Sequence, residues 1–261
     1  MANYGVIDLG SNSVRLVIFD VKDGISKKKP ITCKDFRSII NDKVMAGLSA
    51  YVDAGEFTPE GIARAVDVLS GHLKRARYFN CVRTDIFATA VLRNCTNSRK
   101  AIRAIEEAIG APVNLLSARD EAHLSFAGAS CDRTIEKGTV VDLGGGSTEL
   151  IRVEEGRDFD DVSIGQGSLS SYAGYVEFVM PQADEVEAIE RAFLDQVAKT
   201  PVDLKKYRAE TLYGVGGSAR AAAKLYAQMT GESCRPKTLT PEHFDALLDL
   251  LENNPSKFAH L

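Results

Sequence analysis

The stretch VIDLGSNSVRLVIFDV, residues 6–21, returns as VVDLGGGSTELIRVEEG at residues 140–156. Each copy is an apolar run ending in Asp, then a tight turn of Gly, Ser or Asn, then a second run rich in β-branched residues, which reads as strand, turn, strand. Asp8 and Asp142 hold the same place in both copies. Duplicated units of this kind imply duplicated lobes. A chain of 261 residues with 44% hydrophobic content can give each of two lobes a core.

Between the copies, TPEGIARAVDVLSGHLKRARYF carries Thr58 as a helix opener, Pro59 at the first helical position, and Ile62, Val66 and Leu69 in helical register, so it predicts an amphipathic helix. VRTDIFATAVLR reads as a strand running into a loop, NSRKAIRAIEEAIG as a helix closed by Gly110, VNLLS as a short strand and ARDEAHLSFAGAS as a helix. Beyond the second copy, DDVSIGQGSLSSY reads as a strand and turn and ADEVEAIERAFLDQVAKT as a helix. TLYGVGGSARAAAKLY reads as strand, glycine turn and helix, and PEHFDALLDLLENN as a last helix. Strands alternating with helices predict an α/β architecture. The run Lys27 to Lys29 reads as a solvated loop.

A net charge of −4 argues against bulk attraction to nucleic acid or to an anionic membrane surface, so a polyanionic ligand must be met by a local basic patch. Cys33, Cys81, Cys95, Cys131 and Cys234 are scattered with no Cys-x-x-Cys pair, the pattern of reduced thiols in a cytoplasmic protein. No leader-like segment precedes the first strand, and no apolar run has the length of a membrane span. His72, His123, His243 and His260 lie too far apart for a zinc-type spacing.

Three glycine loops suit the close approach of backbone N–H groups to phosphate oxygens: Gly10 to Ser13, Gly144 to Thr148 and Gly214 to Ser218. One such loop is an ordinary chain reversal; three, two of them preceded by Asp, point to phosphate. Asp8 and Asp142 suit Mg²⁺, directly or through water, or form the turns themselves. Glu149 sits on the outgoing strand of the second copy, facing either a phosphate or solvent. Asp120 and Glu121 open a helix, where either one caps it or Glu121 serves as a catalytic carboxylate. Arg93 is a guanidinium positioned to fork onto phosphate, or a plain surface residue. Lys74, Arg75 and Arg77 form a basic cluster that is either a solvated face or a track for a polyanion.

Together VIDLGSNSVRLVI, GEFTPEGIARA, FATAVLRNCTN, LSARDEAHLSFAGA, VVDLGGGSTELI and YGVGGSARAAAKL resemble the exopolyphosphatase and guanosine pentaphosphate phosphohydrolase (Ppx/GppA) family, in order and spacing, over nearly the whole chain. The resemblance implies two ribonuclease-H-like lobes of the actin, heat-shock-chaperone and sugar-kinase superfamily flanking a phosphate-binding cleft. The expected division is residues 1–119 and 120–261. It implies Glu121 as the base that positions the attacking water. Asp142 and Glu149 become the acidic pair that works with Mg²⁺, and Asp8 a further metal-site residue. The phosphate ligands are then Gly10, Ser11, Asn12, Ser13, Arg93, Gly144, Gly145, Gly146 and Ser147, with Gly216, Gly217 and Ser218 bordering the cleft. The expected substrate is inorganic polyphosphate, shortened by one orthophosphate per turnover. Guanosine pentaphosphate hydrolysis and a non-hydrolytic polyphosphate or alarmone sensor are the alternatives. A homodimer is expected from the resemblance alone.

The sequence also departs from the family pattern. IGQGSLSS lacks the Val-Arg-Leu that usually follows the family's glycine there. Cys95 stands where a small Ala is common, and Asp120 where Glu or Asn is frequent. Residue 261 precedes the segment with which family members complete the second core.

Overall fold

The computed structural model describes residues 1–22 and 32–261, so the expectation for Lys27 to Lys29 lies outside the described residues. The chain forms two compact units, Met1–Thr134 and Ile135–Leu261. The boundary falls after the helix that carries Glu121, whereas residues 120–134 were expected to open the second lobe.

The first unit contains strands β1 (Ala2–Leu9), β2 (Ser13–Val21) and β3 (Phe36–Met45), followed by a small hairpin of β4 (Val52–Asp53) and β5 (Glu56–Phe57). Helix α1 (Pro59–Tyr78), strand β6 (Cys81–Ala88), helices α2 (Ala90–Arg93) and α3 (Ser98–Ile109), strand β7 (Asn114–Leu115) and helix α4 (Ala118–Asp132) complete it. Its sheet runs β3-β2-β1-β6-β7, with β1, β6 and β7 parallel and the first three strands antiparallel. Period-two alternation turns Ile7 and Leu9 of β1 and Val14, Leu16 and Ile18 of β2 to a fully buried face.

Against that core lies α1, through Ala65, Val68, Leu69, Leu73 and Ala76. Its start is as the sequence predicts: Thr58 Oγ1 accepts the Gly61 N–H at 3.2 Å, and Pro59 needs no partner for a missing N–H. Truncating the buried Leu69 to Ala would cost about 2–5 kcal/mol. The α3 helix adds Ala101, Ile102 and Ile105 to the same core and ends at Gly110, whose φ of 66° is the left-handed cap conformation.

Parallel strands fix where the connections lie. The turn after β1, the start of α3 after β6, and the start of α4 after β7 all leave from the carboxyl edge of the sheet, the edge where α/β proteins bind ligands. The start of α1 is tied there as well, because the Asn97 side-chain amide bonds both the N–H and the C=O of Phe57 at 2.9 Å. The end of α1 is at the other edge, where Asn3 at the start of β1 donates to Phe79 C=O at 2.7 Å. Lys74, Arg75 and Arg77 therefore sit at the edge opposite the Gly10–Ser13 turn, and Arg75 is engaged with Asp42.

Arg93 does not end a strand: β6 stops at Ala88, and the helical turn α2 follows it, with Ala90, Val91 and Leu92 buried and Arg93 at its end.

The second unit contains β8 (Gly138–Leu143), β9 (Thr148–Glu154), β10 (Arg157–Ile164), helices α5 (Ser168–Tyr175) and α6 (Ala183–Lys199), β11 (Leu212–Val215) and helices α7 (Gly216–Thr230), α8 (Pro241–Asn253) and α9 (Pro255–Ala259). Its sheet runs β10-β9-β8-β11, the order of the first unit's sheet, with β8 parallel to β11. Among the described residues it has four strands where the first sheet has five. Val140, Ile151, Val153, Ile164 and Tyr207 form its buried center. SLSSY, expected as part of a turn, is the start of α5. No helix among the described residues is long and apolar enough to cross a membrane, and none of the five cysteines is in a disulfide.

His72, fully buried on α1, joins three elements of the first unit. Its Nε2–H donates to Val14 C=O on β2 at 3.2 Å, and Nδ1 lies 3.4 Å from Asp42 Oδ2 on β3, which also pairs with Arg75. Burial depresses its pKa below the ordinary 6.5, against the opposing pull of the Val14 carbonyl and Asp42. The unfolded chain therefore binds this proton more readily, so the contribution to stability is complete above about pH 6.5 and is lost as pH falls toward the folded-state value. Thermal melts between pH 7.5 and 5 should show falling stability for the native protein. The slope should be shallower in His72→Gln, which keeps a donor to Val14 but does not titrate; equal slopes would remove His72 from the account.

Candidate functional site

In the first unit, Gly10 N–H donates to Ser13 C=O at 3.1 Å and closes the turn between β1 and β2. The carbonyls of the turn are bound from behind: Ala46 and Gly47 N–H reach Asn12 C=O at 2.9 and 2.8 Å, and Ser49 N–H reaches Ser11 C=O at 2.9 Å. A Cβ on Gly10 would stand 3.2 Å from Ser13 O, so the tightness of the turn selects glycine.

The second unit repeats the construction. Gly144 N–H donates to Ser147 C=O at 3.0 Å, and a Cβ on Gly144 would again stand 3.2 Å from that oxygen. Here the carbonyls are bound by the first turn of α5: Ser168 N–H reaches Gly144 C=O, and Leu169 and Ser170 N–H reach Gly145 C=O, all at 2.9 Å. Serine- and glycine-rich, SLSSYAGY is a weak helix former, and these bonds to the turn are what its first N–H groups gain by becoming helical. Gly167 makes the approach possible, since a Cβ there would lie 2.5 Å from Gly144 O and 2.7 Å from Ser147 N. Thr148 Oγ1 donates to Gln166 C=O at 2.7 Å and fixes the same segment from the other side.

Asp142 and Glu149 are directly opposite in the β8–β9 ladder and so project from one face of the sheet. Glu149 is buried and accepts from Ser163 Oγ at 2.9 Å. Asp142 faces the start of α7: Gly216, with φ of 85°, would place a Cβ 2.9 Å from Asp142 Oδ1. The glycines of β11–α7 thus leave room beside this carboxylate, and Gly216, Gly217 and Ser218 form the first turn of α7 rather than a separate loop. Gly144, Gly145, Gly146 and Ser147 reach the same sheet edge as α7, because Val215 pairs with Asp142 in parallel register. Among the described residues no three His, Cys, Asp or Glu side chains converge as a metal cluster. Two neighboring carboxylates with space beside them suit Mg²⁺, which keeps most of its waters and takes one or two protein ligands.

At the carboxyl edge of the first unit, Arg93 and Glu121 form an ion pair. Arg93 Nη1 donates to Glu121 Oε2 at 2.6 Å and to Leu116 C=O at 3.2 Å, with both side chains about four-fifths buried. The helix cap is made by neighboring residues. Ser117 Oγ accepts the Asp120 N–H at 3.1 Å and donates to the Asp120 carboxylate at 2.6 Å, which holds that carboxyl below its ordinary pKa. Of the two acids that open α4, Asp120 bonds the capping residue Ser117, and Glu121 meets the arginine.

The structure thus gathers Gly10, Ser11, Asn12, Ser13, Arg93 and Glu121 at one edge of the first unit. It gathers Asp142, Glu149, Gly144 to Ser147 and Gly216 to Ser218 at one edge of the second. Asp8, in the first unit, stands opposite Arg15 in the β1–β2 ladder. Arg15 therefore occupies in the first hairpin the place Glu149 has in the second, a position the sequence reading passed over. Laying the two quoted stretches side by side marks it. The same comparison does not find Gly47 and Gly167, which lie outside the repeated stretch and matter through backbone contacts.

Residues 17–258 match the Ppx/GppA phosphatase family. The chain is 26% identical over 238 residues to exopolyphosphatase 2 of Mycobacterium tuberculosis, covering 88% of this chain and 72% of that protein. The crystal structure of an exopolyphosphatase from Cytophaga hutchinsonii is similar with a TM-score of 0.78 and 22% identity, over 95% of this chain and 79% of that one. An Aquifex aeolicus Ppx/GppA family structure is similar with a TM-score of 0.73 and 21% identity, over 100% and 83%. These likenesses show the fold: α/β units of the kind expected.

Gly167→Ala should displace the second turn, since every atom its Cβ meets is backbone. A loss of about 1–3 kcal/mol is expected in denaturant unfolding. Gly174→Ala, in the same helix with open space around the site, should be neutral or slightly stabilizing. Equal effects at the two positions would refute the packing argument.

Proposed function

The chain belongs to the Ppx/GppA phosphatase family, and from that premise we propose that it hydrolyzes the terminal phosphoanhydride of inorganic polyphosphate, releasing orthophosphate. The observation that carries the reading is the Arg93–Glu121 pair: a carboxylate held in one orientation by a guanidinium, at the sheet edge that also bears a glycine turn. Relatives named exopolyphosphatases support polyphosphate as the substrate.

In this reading the N–H groups of Ser11 to Ser13 in the first unit, and separately those of Gly145 to Ser147 in the second, are the donors offered to phosphate oxygens, since the Gly10 and Gly144 N–H groups close the turns themselves. The remaining N–H donors of Arg93 fork onto phosphate while Nη1 stays on Glu121. Glu121 accepts a hydrogen bond from a water molecule and takes its proton as the water oxygen bonds to the terminal phosphorus. The bridging P–O bond breaks, and the electron pair leaves with the shortened polyphosphate. Asp142 and Glu149 would hold Mg²⁺, which when bound supplies positive charge to the phosphoryl oxygens. Ser163 keeps Glu149 facing its partner acid.

Phosphate release from long-chain polyphosphate and from guanosine pentaphosphate, each with Mg²⁺ and after chelation, tests the reading and separates the two substrates. Glu121→Gln keeps the shape and should lower release about 100-fold or more, with substrate binding retained. Release from neither substrate above the Glu121→Gln level would remove the hydrolytic reading, and retained binding would then favor a sensor. Arg93→Ala should lower turnover and also raise KM, because it frees Glu121 and removes a phosphate contact together.

A further inference from the structure

Arg99, Lys100 and Arg103 lie on the exposed side of α3 and, with Glu107, line a shallow depression of about 470 Å³. The helix begins with two of these cations in its first turn and no acidic residue there. That places positive charge at the positive end of the helix dipole, an arrangement that destabilizes the helix start unless an anion is present. The usual side-chain remedy is missing as well, because the amide of the capping residue Asn97 is committed to Phe57. Arg37, Arg64, Arg75 and Arg83 of the same unit each have a carboxylate partner; among the described residues Arg99, Lys100 and Arg103 have none.

Position gives the cluster its meaning. The start of α3 leaves the carboxyl edge of the sheet, as do the Gly10–Ser13 turn and the start of α4, and Arg93 is six residues before Arg99, no more than about 20 Å even in a fully extended chain. The basic cluster on α1 is at the opposite edge and shares Arg75 with Asp42. We infer that the exposed face of α3 is a secondary binding track for the distal part of a long polyphosphate chain whose end lies at Arg93 and Glu121. The inference rests on the proposed hydrolysis of polyphosphate for its ligand. A chain bearing a negative charge on every unit gains from each further cation it passes, whereas a substrate of three phosphates has at most two units beyond the one at the site with which to meet them.

The test compares the full-length native protein with Arg99→Gln/Lys100→Gln/Arg103→Gln on long-chain polyphosphate and on tripolyphosphate. A second variant, Lys74→Gln/Arg77→Gln, serves as a control at the far edge. The α3 variant should raise KM for the long chain about fivefold, flatten its dependence on salt, and leave kcat for both substrates and KM for tripolyphosphate unchanged. An unchanged long-chain KM overturns the inference, as does an equal rise for both substrates or the same rise in the α1 variant. Binding of labeled long-chain polyphosphate, followed by fluorescence anisotropy in the Glu121→Gln background, decides the matter even where the native protein releases no phosphate. Weaker binding on removal of the α3 cations supports the track, and undiminished binding overturns it. Labeled single-stranded RNA in the same assay separates a polyphosphate track from a general polyanion surface, and equal affinity for RNA overturns the assignment.

Discussion

A glycine N–H donating to a serine C=O three residues later is the constraint on which both units depend. It is 3.1 Å at Gly10–Ser13 and 3.0 Å at Gly144–Ser147, and it reverses the chain in the least possible space. A turn so tight cannot satisfy its own carbonyls. Each unit therefore brings up another segment whose N–H groups do so: residues 46–49 in the first and the start of α5 in the second. Unpaired buried carbonyls would cost more than the short segments gain from any other conformation. The outcome is a turn braced from behind through its carbonyls.

The other site residues follow from chain direction. Parallel β1, β6 and β7 send their successors out over one edge, so Arg93 and Glu121, 28 residues apart, meet within hydrogen-bonding distance. Antiparallel β8 and β9 set Asp142 beside Glu149 for the complementary reason: seven residues apart around a braced turn, they face each other across the ladder. Neither pairing needs a special local sequence. Both are consequences of strand order, the ion pair of helices that follow parallel strands and the acid pair of facing positions in an antiparallel ladder.

Much of this was legible before any coordinates. The repeated Asp-Leu-Gly stretches announced both hairpins, Thr58-Pro59 announced the start of α1, and the acids at 120 and 121 announced the start of α4, because local turn and capping chemistry is written in neighboring residues. Less was legible where tertiary contacts decide. SLSSYAGY is helical because its amides find the turn at Gly144 and Gly145, a relation 24 residues long that no propensity carries. Helix α2 is a single turn whose apolar run, Ala90 to Leu92, does not by itself distinguish a helix from a buried strand. The difference between Asp120 as partner of the capping Ser117 and Glu121 as partner of Arg93 depends on a single step of helix phase, and the spacing alone left both roles open for each.

The two ladders also differ in sign. Asp8 stands across from Arg15, while Asp142 stands across from Glu149. If the halves descend from one ancestral hairpin, a single exchange between base and acid at the same rung would have split their labor. One half places a base across from its acid. The other sets two acids side by side, with Glu149 buried and held by Ser163, so the same rung of a repeated hairpin carries opposite electrostatics in the two halves.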